Sequence, residues 1–218
     1  MIIGVLDCET TGLCQSDTVT EFAIAVFDTV SKQVIACSSF MIPTPVISAE
    51  IESITSISSV ISNLISTYTL DSLPLVDHCD AVVAHNASFD KSFLPQVSKP
   101  WICSLKDLQW PVQAGKLTHM CADLGVPIAG AHRAIFDVLM LCQCLAKLPD
   151  LEEQIHTILT VQPETYVANV SFEKRQLAKD AGFAWFPETK QWRRSVRLSD
   201  EATLEWISSL PFGVRKCQ

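Results

Sequence analysis

The sequence predicts an α/β protein, a sheet covered by helices, followed by a small second domain. Three observations carry this. The segment up to Met41 holds three apolar, extended runs broken by polar turns, and Pro43 and Pro45 end them. From there to about residue 160, short apolar runs suited to strands alternate with helix-patterned segments, the order of a sheet layered with helices. Beyond Pro163 the balance of charge changes sign: residues 1–162 carry 7 Lys and Arg against 17 Asp and Glu, net −10, and residues 163–218 carry 9 against 7, net +2.

Residues 2–7 form the first strand, and Gln15-Ser16-Asp17 is a polar turn. Residues 19–27 alternate well enough for a second strand, with Phe22, Ile24 and Val26 on one side, and residues 34–41 read as a third. Together they predict an antiparallel meander. From Ser48 to Tyr68 the composition turns to Ser, Thr and Ile, which suits either one or two short helices or a poorly ordered stretch. Pro74 opens a short helix, residues 81–84 a brief buried strand, and residues 87–94 a helix with Asn86 placed to cap it. Trp101-Ile102-Cys103 is a further short strand. Helical patterns follow over residues 117–124, ended by Gly125, and over residues 133–147, where Ile135, Leu139, Cys142 and Ala146 make an apolar stripe. A helix over residues 150–159 leads to Val161-Gln162-Pro163, the expected boundary between a domain of residues 1–162 and one of residues 163–218. The second domain reads as a helix over 171–181, a hairpin over 183–197 turning near Pro187-Glu188-Thr189, and a helix over 199–209.

A chain of 218 residues at 48% hydrophobic content can bury one full core with a small domain left over. No run of about 18 apolar residues occurs and no basic stretch opens the sequence, so neither a membrane span nor a secretory leader is indicated, and the expected location is cytoplasmic. Nine cysteines, an odd number scattered through apolar segments, read as reduced core residues. With a net charge of −8, a nucleic-acid partner has to be gripped locally, by metals or by the C-terminal part.

The chemistry gathers at the end of the first strand. Alternation puts Asp7 and Glu9 on one face and turns Cys8 toward the core. Like charges side by side at the end of a buried strand repel and raise a pKa unless a cation lies between them. Oxygen ligands without zinc-like His or Cys spacing select Mg²⁺ or Mn²⁺. Taken alone, Asp-x-Glu equally suits a solvated turn. Asp90 falls in the first turn of a helix, where a carboxylate also serves the helix dipole. His132 and Asp137 are five residues apart, a rotation of roughly 140° on a helix, so both cannot face one site from within it. His132 therefore lies on the loop before the helix and Asp137 on its first turns. That suits a movable base beside a fixed ligand, or a capping histidine with a surface carboxylate.

Asp7-Cys-Glu9-Thr-Thr-Gly on the first strand, His85-Asn-x-x-Phe-Asp90 on a middle helix and His132-x4-Asp137 on a late helix together resemble the DnaQ-like exonucleases of the DEDDh class. The resemblance covers roughly residues 1–150, and Trp101-Ile-Cys-Ser-Leu-Lys is similar to the bacterial exonuclease X group. It implies a ribonuclease H-like three-layer fold with a five-stranded mixed sheet, and 3′ to 5′ release of nucleoside 5′-monophosphates. It implies Asp7, Glu9, Asp90, His132 and Asp137 as catalytic residues and two divalent ions, Mg²⁺ or Mn²⁺. Asp7, Glu9 and Asp137 would hold the first ion, Asp7 would reach the second with Asp90 acting through water, and His132 would be the general base. Thr10 and Leu13 would meet the terminal nucleotide, with Asn86 and Phe89 as further substrate candidates that equally suit a helix cap and a core contact. The implied partner is nucleic acid with a free 3′ end, single-stranded DNA favoured over RNA, and no membrane. Many relatives carry Ile-His-Gly-Ile-Thr where residues 51–55 read Ile-Glu-Ser-Ile-Thr, so Glu52 replaces a histidine there. An inactive, polymerase-associated or nucleic-acid-binding relative would be expected to lose a carboxylate, and none is lost.

In the second domain, Trp185 and Trp192 suit either core packing or base stacking. Lys190, Arg193, Arg194 and Arg197 crowd one hairpin, where they could meet a phosphate backbone. The competing expectation is that this domain docks a protein partner or a second copy of the chain.

Overall fold

Apolar extended sequence makes the first three strands, β1 (Ile2–Thr10), β2 (Val19–Asp28) and β3 (Gln33–Met41), joined as an antiparallel meander. The computed structural model describes residues 1–14, 16–65, 69–71, 73–130, 132–197 and 200–217. Gln15 of the expected turn, Tyr68 of the Ser/Thr/Ile stretch, Ala131 of the histidine loop and Ser199 of the last expected helix lie outside the described residues. Two parallel strands, β4 (Ala81–Ala84) and β5 (Trp101–Cys103), extend the sheet beside β1. The result is a five-stranded mixed sheet in the order β3-β2-β1-β4-β5.

Helices cover both faces of this sheet. The stretch after Ser48 forms two short helices, α1 (Ala49–Thr55) and α2 (Ser59–Ile65), and Ser48 caps the first by accepting from the Ile51 amide at 3.3 Å. Next come α3 (Pro74–Asp77), α4 (Ser88–Phe93), α5 (Leu117–Leu124), α6 (Ala134–Ala146) and α7 (Leu151–Thr160). On one face Leu6, Phe22, Ile24, Val82 and Ala84 pack with Val76 of α3 and with Ala87 and Leu94 at the two ends of α4. The alternate residues Asp7, Glu9 and Glu21 lie on the other face, where α6 packs across β1, β2 and β3. With both faces covered, β2 is buried from Val19 to Phe27. No helix among the described residues is long and apolar enough to cross a membrane, and every described cysteine is free.

Two details differ from the sequence expectation. Helix α6 buries Ala134, Val138, Leu141 and Leu145 together with Met140 and Cys144, whereas Ile135, Leu139 and Ala146 of the expected stripe are only partly covered. The helix is apolar nearly all round, so its own periodicity does not set the phase, and the sheet beneath does. Asn86 does not cap α4: Ala87 is the capping residue, and Asn86 instead takes a left-handed backbone, φ 66°, at the turn from β4. Its side-chain oxygen accepts from Ser88 Oγ at 3.3 Å.

The chain divides into two units, Met1–Ile155 and His156–Gln218, with the division inside α7. The second unit runs β6 (Glu164–Asn169), a 3₁₀ turn (Phe172–Lys174), α8 (Arg175–Asp180), β7 (Ala184–Phe186), β8 (Gln191–Val196), α9 (Asp200–Ser209) and β9 (Gly213–Lys216). Its antiparallel sheet has the order β7-β8-β6-β9, the β-α-β-β-α-β succession of a split βαβ fold. Tyr166, Ala178, Phe183 and Val196 form its core, with Trp192 and Trp206 packed against them. Strands β6 and β9 are additions to the helix, hairpin and helix expected. The hairpin's basic residues do not act as one cluster, because Arg193 and Arg194 are neighbours on a strand and point to opposite faces. Arg194 joins Trp192 and Val196 on the core side, donates to the Ala181 carbonyl at 2.6 Å and lies over Trp206 at 5.3 Å.

Candidate active site

The last turnward residues of β1 carry the site. Asp7 and Glu9 share the α6 face of the strand, and Asp137 projects from the first turn of α6. One carboxylate oxygen from each of these three residues lies within 4.8 Å of the others. A close set of three carboxylates, with no nitrogen or sulfur donor, fits a hard divalent ion such as Mg²⁺ or Mn²⁺.

Asp137 is held in place by a residue that the sequence did not single out. Glu21, on β2, is the cross-strand partner of Glu9 and is 1% exposed. Arg133 donates to it twice, Nε to Oε2 at 2.9 Å and Nη2 to Oε1 at 3.1 Å. The Ala134 amide donates to Oε2 at 3.1 Å, and Ser39 Oγ donates to Oε1 at 3.1 Å. A buried carboxylate needs such partners, and here they fasten the N-terminus of α6 to the sheet. The readable signal was a charge inside an otherwise apolar strand, which is rarely buried unless paired.

His132 precedes this anchor with φ 67°, and its amide donates to Asp137 Oδ2 at 3.0 Å. Its side chain is exposed. The bend before it depends on Gly130, φ 59°, where a Cβ would meet the Phe136 ring at 2.4 Å. The histidine thus sits on the loop and the carboxylate on the helix, as their spacing requires.

Asp90 is nearby but differently engaged. It is 1% exposed, at the start of α4 on the other side of the sheet, and its Oδ1 accepts from the Cys8 amide at 3.1 Å and from Cys8 Sγ at 3.4 Å. Asp90 is not among the three carboxylates that converge.

The crowding of charge is visible in the protonation equilibria. Burial, then the charges of Asp90, Glu9 and Asp137, hold the Asp7 carboxyl well above its ordinary range. Burial, then Asp137 and Glu21, push Glu9 up to about 7. Burial also raises Asp90 to about 7 against the Cys8 hydrogen bonds, and raises Asp137 against the His132 amide. A cation among them would relieve this directly.

The residues expected to meet substrate are arranged unevenly. Leu13 is 86% exposed at the tip of the loop after β1. That loop is closed by Asp17, which accepts from the Cys14 amide at 2.7 Å and Thr11 Oγ1 at 3.2 Å, and it requires Gly12, since a Cβ there would meet Asp17 Oδ2 at 2.5 Å. Thr10 is buried and its hydroxyl donates to the Gly12 carbonyl. Asn86 is exposed, and Phe89 packs on Phe93 with ring centroids 5.0 Å apart. His85 of the same motif is a staple between segments: its ring nitrogens lie 2.9 Å from Ser104 Oγ and 2.8 Å from the Gly115 carbonyl. Glu52 lies exposed on α1.

Residues 5–145 match the family described as Exonuclease, and residues 164–217 match a domain of unknown function. No curated protein matches the chain. Among solved structures, exonuclease X in complex with 5′ overhanging duplex DNA is similar at 24% identity, covering 69% of this chain and 91% of that one, with a TM-score of 0.54. The nuclease domain of 3′hExo, a DEDDh family member bound to rAMP, is similar at 16% identity, 70% and 92% coverage and a TM-score of 0.55. Exonuclease I is similar at 15% identity over 100% of this chain and 62% of that one, with a TM-score of 0.58. These likenesses place the first unit among ribonuclease H-like exonuclease folds.

Proposed function

The chain belongs to the exonuclease family, and from that premise we propose that it removes nucleotides one at a time from the 3′ end of single-stranded DNA. The observation that carries this reading is the convergence of Asp7, Glu9 and Asp137 beside the His132 loop. Asp7, Glu9 and Asp137 would hold one divalent ion, and Asp7, with Asp90 through water, a second. When bound, such ions stabilise the attacking and leaving oxygens of an in-line phosphodiester displacement.

The chain's own residues supply the rest. An imidazole nitrogen of His132 takes a proton from the water that attacks the terminal phosphorus. The bond from phosphorus to the 3′ oxygen of the preceding nucleotide breaks, that oxygen takes a proton from solvent water and ends as a 3′ hydroxyl, the terminal nucleotide leaves as its 5′-monophosphate, and His132 returns its proton to solvent. The bond from the His132 amide to Asp137 keeps the base beside the carboxylates, and the Glu21–Arg133 pair keeps both on a fixed helix end. Leu13, exposed and apolar, would wedge against the last base, and the Thr10 hydroxyl donates within the loop that carries it.

Oligomers of one sequence, labelled at either end and made as DNA and as RNA, test the reading. Shortening from the 3′ end with release of mononucleotides, faster on single-stranded DNA, is the expected result. Shortening from the 5′ end overturns the polarity, and a faster reaction on RNA makes the chain an exoribonuclease.

A further inference from the structure

One face of the second unit's sheet, that of Tyr166, Ala168 and Val196, belongs to the unit's core, and the opposite face carries exposed residues, among them Asn169, Phe186, Ser195 and Arg215. Alternation settles which side chains stand on that open face: Thr165, Val167 and Asn169 of β6, Phe186 of β7, Gln191, Arg193 and Ser195 of β8, and Arg215 of β9. Two arginines and no carboxylate stand there. The register puts Arg193 and Arg215 on either side of Val167, in one row across three strands. Val167 between them is 5% exposed and stands outside the helix-side core.

Three features make this face a site for a single strand. The arginines of neighbouring strands on either side of β6 stand about 10 Å apart, at two inter-strand spacings, so they can address different phosphates. Phe186 is 41% exposed and lies 5.4 Å from the Arg193 guanidinium, a flat apolar surface beside a cation. A cavity of about 380 Å³ lies along β6 and β9, lined by Val167, Ala168, Asn169, Gly213, Val214 and Arg215, and a Cβ on Gly213 would meet nothing within 4 Å. Aromatic stacking with cationic tracking of the backbone is how single strands are gripped without sequence readout.

We infer that this open sheet face binds single-stranded nucleic acid, with Arg193 and Arg215 on phosphates and Phe186 stacked on a base. The inference rests on the exonuclease reading for its choice of ligand. It gives the strand a hold on residues 163–218, net +2 in charge, whereas residues 1–162 are net −10.

The test uses the full chain in EDTA, with a fluorescent 20-residue oligothymidine followed by anisotropy at several salt concentrations, and with oligouridine as the RNA arm. Arg215→Gln should weaken binding at low salt and reduce the slope of log affinity against log salt by about 1. Phe186→Ala should weaken it roughly fivefold or more at every salt concentration. Should Phe186→Ala unfold the unit, Arg215→Gln, an exposed position, decides alone. Equal affinity and equal salt slope in wild type and Arg215→Gln overturn the inference, as does a change confined to self-association in sedimentation. Binding is read without catalysis, so the two readings fail separately: loss of binding in a chain that releases no mononucleotide keeps this face and removes the active site. Normal mononucleotide release with unchanged binding in both variants does the reverse.

Discussion

On β1 two acidic side chains stand two residues apart and remain together in the fold, while on β8 two arginines stand side by side and are parted by it. Asp7 and Glu9 share a face and are joined there by Asp137. Arg193 and Arg194 face opposite sides of their sheet, one toward the open surface and one against Trp206. The difference teaches that density of charge along a sequence means little until the period of the local structure is applied. On a strand, spacing of two concentrates a function and spacing of one divides it.

The largest effect expected at the acidic cluster, short of losing a proposed ligand, is that of His132, the proposed base. His132→Ala should lower the rate of mononucleotide release by about 10²–10⁴-fold, the usual worth of a positioned proton acceptor. Affinity for Mn²⁺, measured by titration calorimetry, should stay close to wild type. Weakened Mn²⁺ binding with an ordinary rate would make His132 a ligand.

Glu21 comes next. It keeps α6 against the sheet without reaching the convergent oxygens, so Arg133→Ala should cost roughly 10–100-fold in turnover, the range found for groups that orient a ligand from behind. Arg133→Lys should restore only part of it, because a single ammonium cannot reproduce the two donors that the guanidinium places on the carboxylate. For stability Arg133→Ala is also the harsher change of the pair: it strands the buried Glu21 carboxylate and should cost roughly 3–5 kcal/mol, read as a lowered denaturant midpoint, whereas Glu21→Ala leaves only the partly exposed Arg133 without its partner and should cost less. An Arg133→Ala protein with unaltered turnover would remove the positioning role.

The stability of the metal-free protein should depend on pH through the cluster. Glu9 and Asp90 titrate near 7 in the folded chain, and Asp7 is also raised, all above the ordinary carboxylate range. The folded state therefore binds these protons more tightly than the unfolded chain. The stabilisation is complete below the ordinary carboxylate pKa values of about 4 and is lost as the pH rises through about 7. Melting temperature in EDTA should fall over that window, and Mg²⁺ should recover most of the loss at the alkaline end. A melting temperature independent of pH, or unmoved by Mg²⁺, would separate the carboxylates from any shared cation.

The smallest effects belong to the arginines on the two faces of the second sheet, Arg194 and Arg215. Arg194→Ala should destabilise the second unit by about 1–3 kcal/mol through its bond to the Ala181 carbonyl, leaving oligonucleotide affinity in place. Arg215→Gln should do the opposite.

Much of the first unit was legible because its signals are long and periodic. The meander, the short buried strands, the helix ended by Gly125 and the placing of His132 on a loop before Asp137 all follow from alternation, turn residues and helical rotation. Less legible were features that depend on partners distant in sequence. Glu21 has no motif around it, and only its burial opposite Glu9, with Arg133 more than a hundred residues on, shows what it does. Asp90 followed the same rule: its place at a helix start was readable, its bonds from Cys8 were not. The phase of α6 was hidden by apolar residues on nearly every side. Strands β6 and β9 escaped because each is short and of mixed polarity, gaining its identity from pairing with the other. Arg215, which completes the open face, became visible only with that pairing.

On the proposed reading, Asp7, Glu9 and Asp137 form one metal-dependent centre for removing 3′-terminal nucleotides. Mononucleotide release from a single-stranded DNA oligomer, measured for the wild-type chain and for Asp7→Ala in Mg²⁺ and in EDTA, tests it most directly. Release by the wild type in Mg²⁺ alone is expected, with only background release by Asp7→Ala in either condition. Release by Asp7→Ala at the wild-type rate, or by the wild type in EDTA, would contradict that reading.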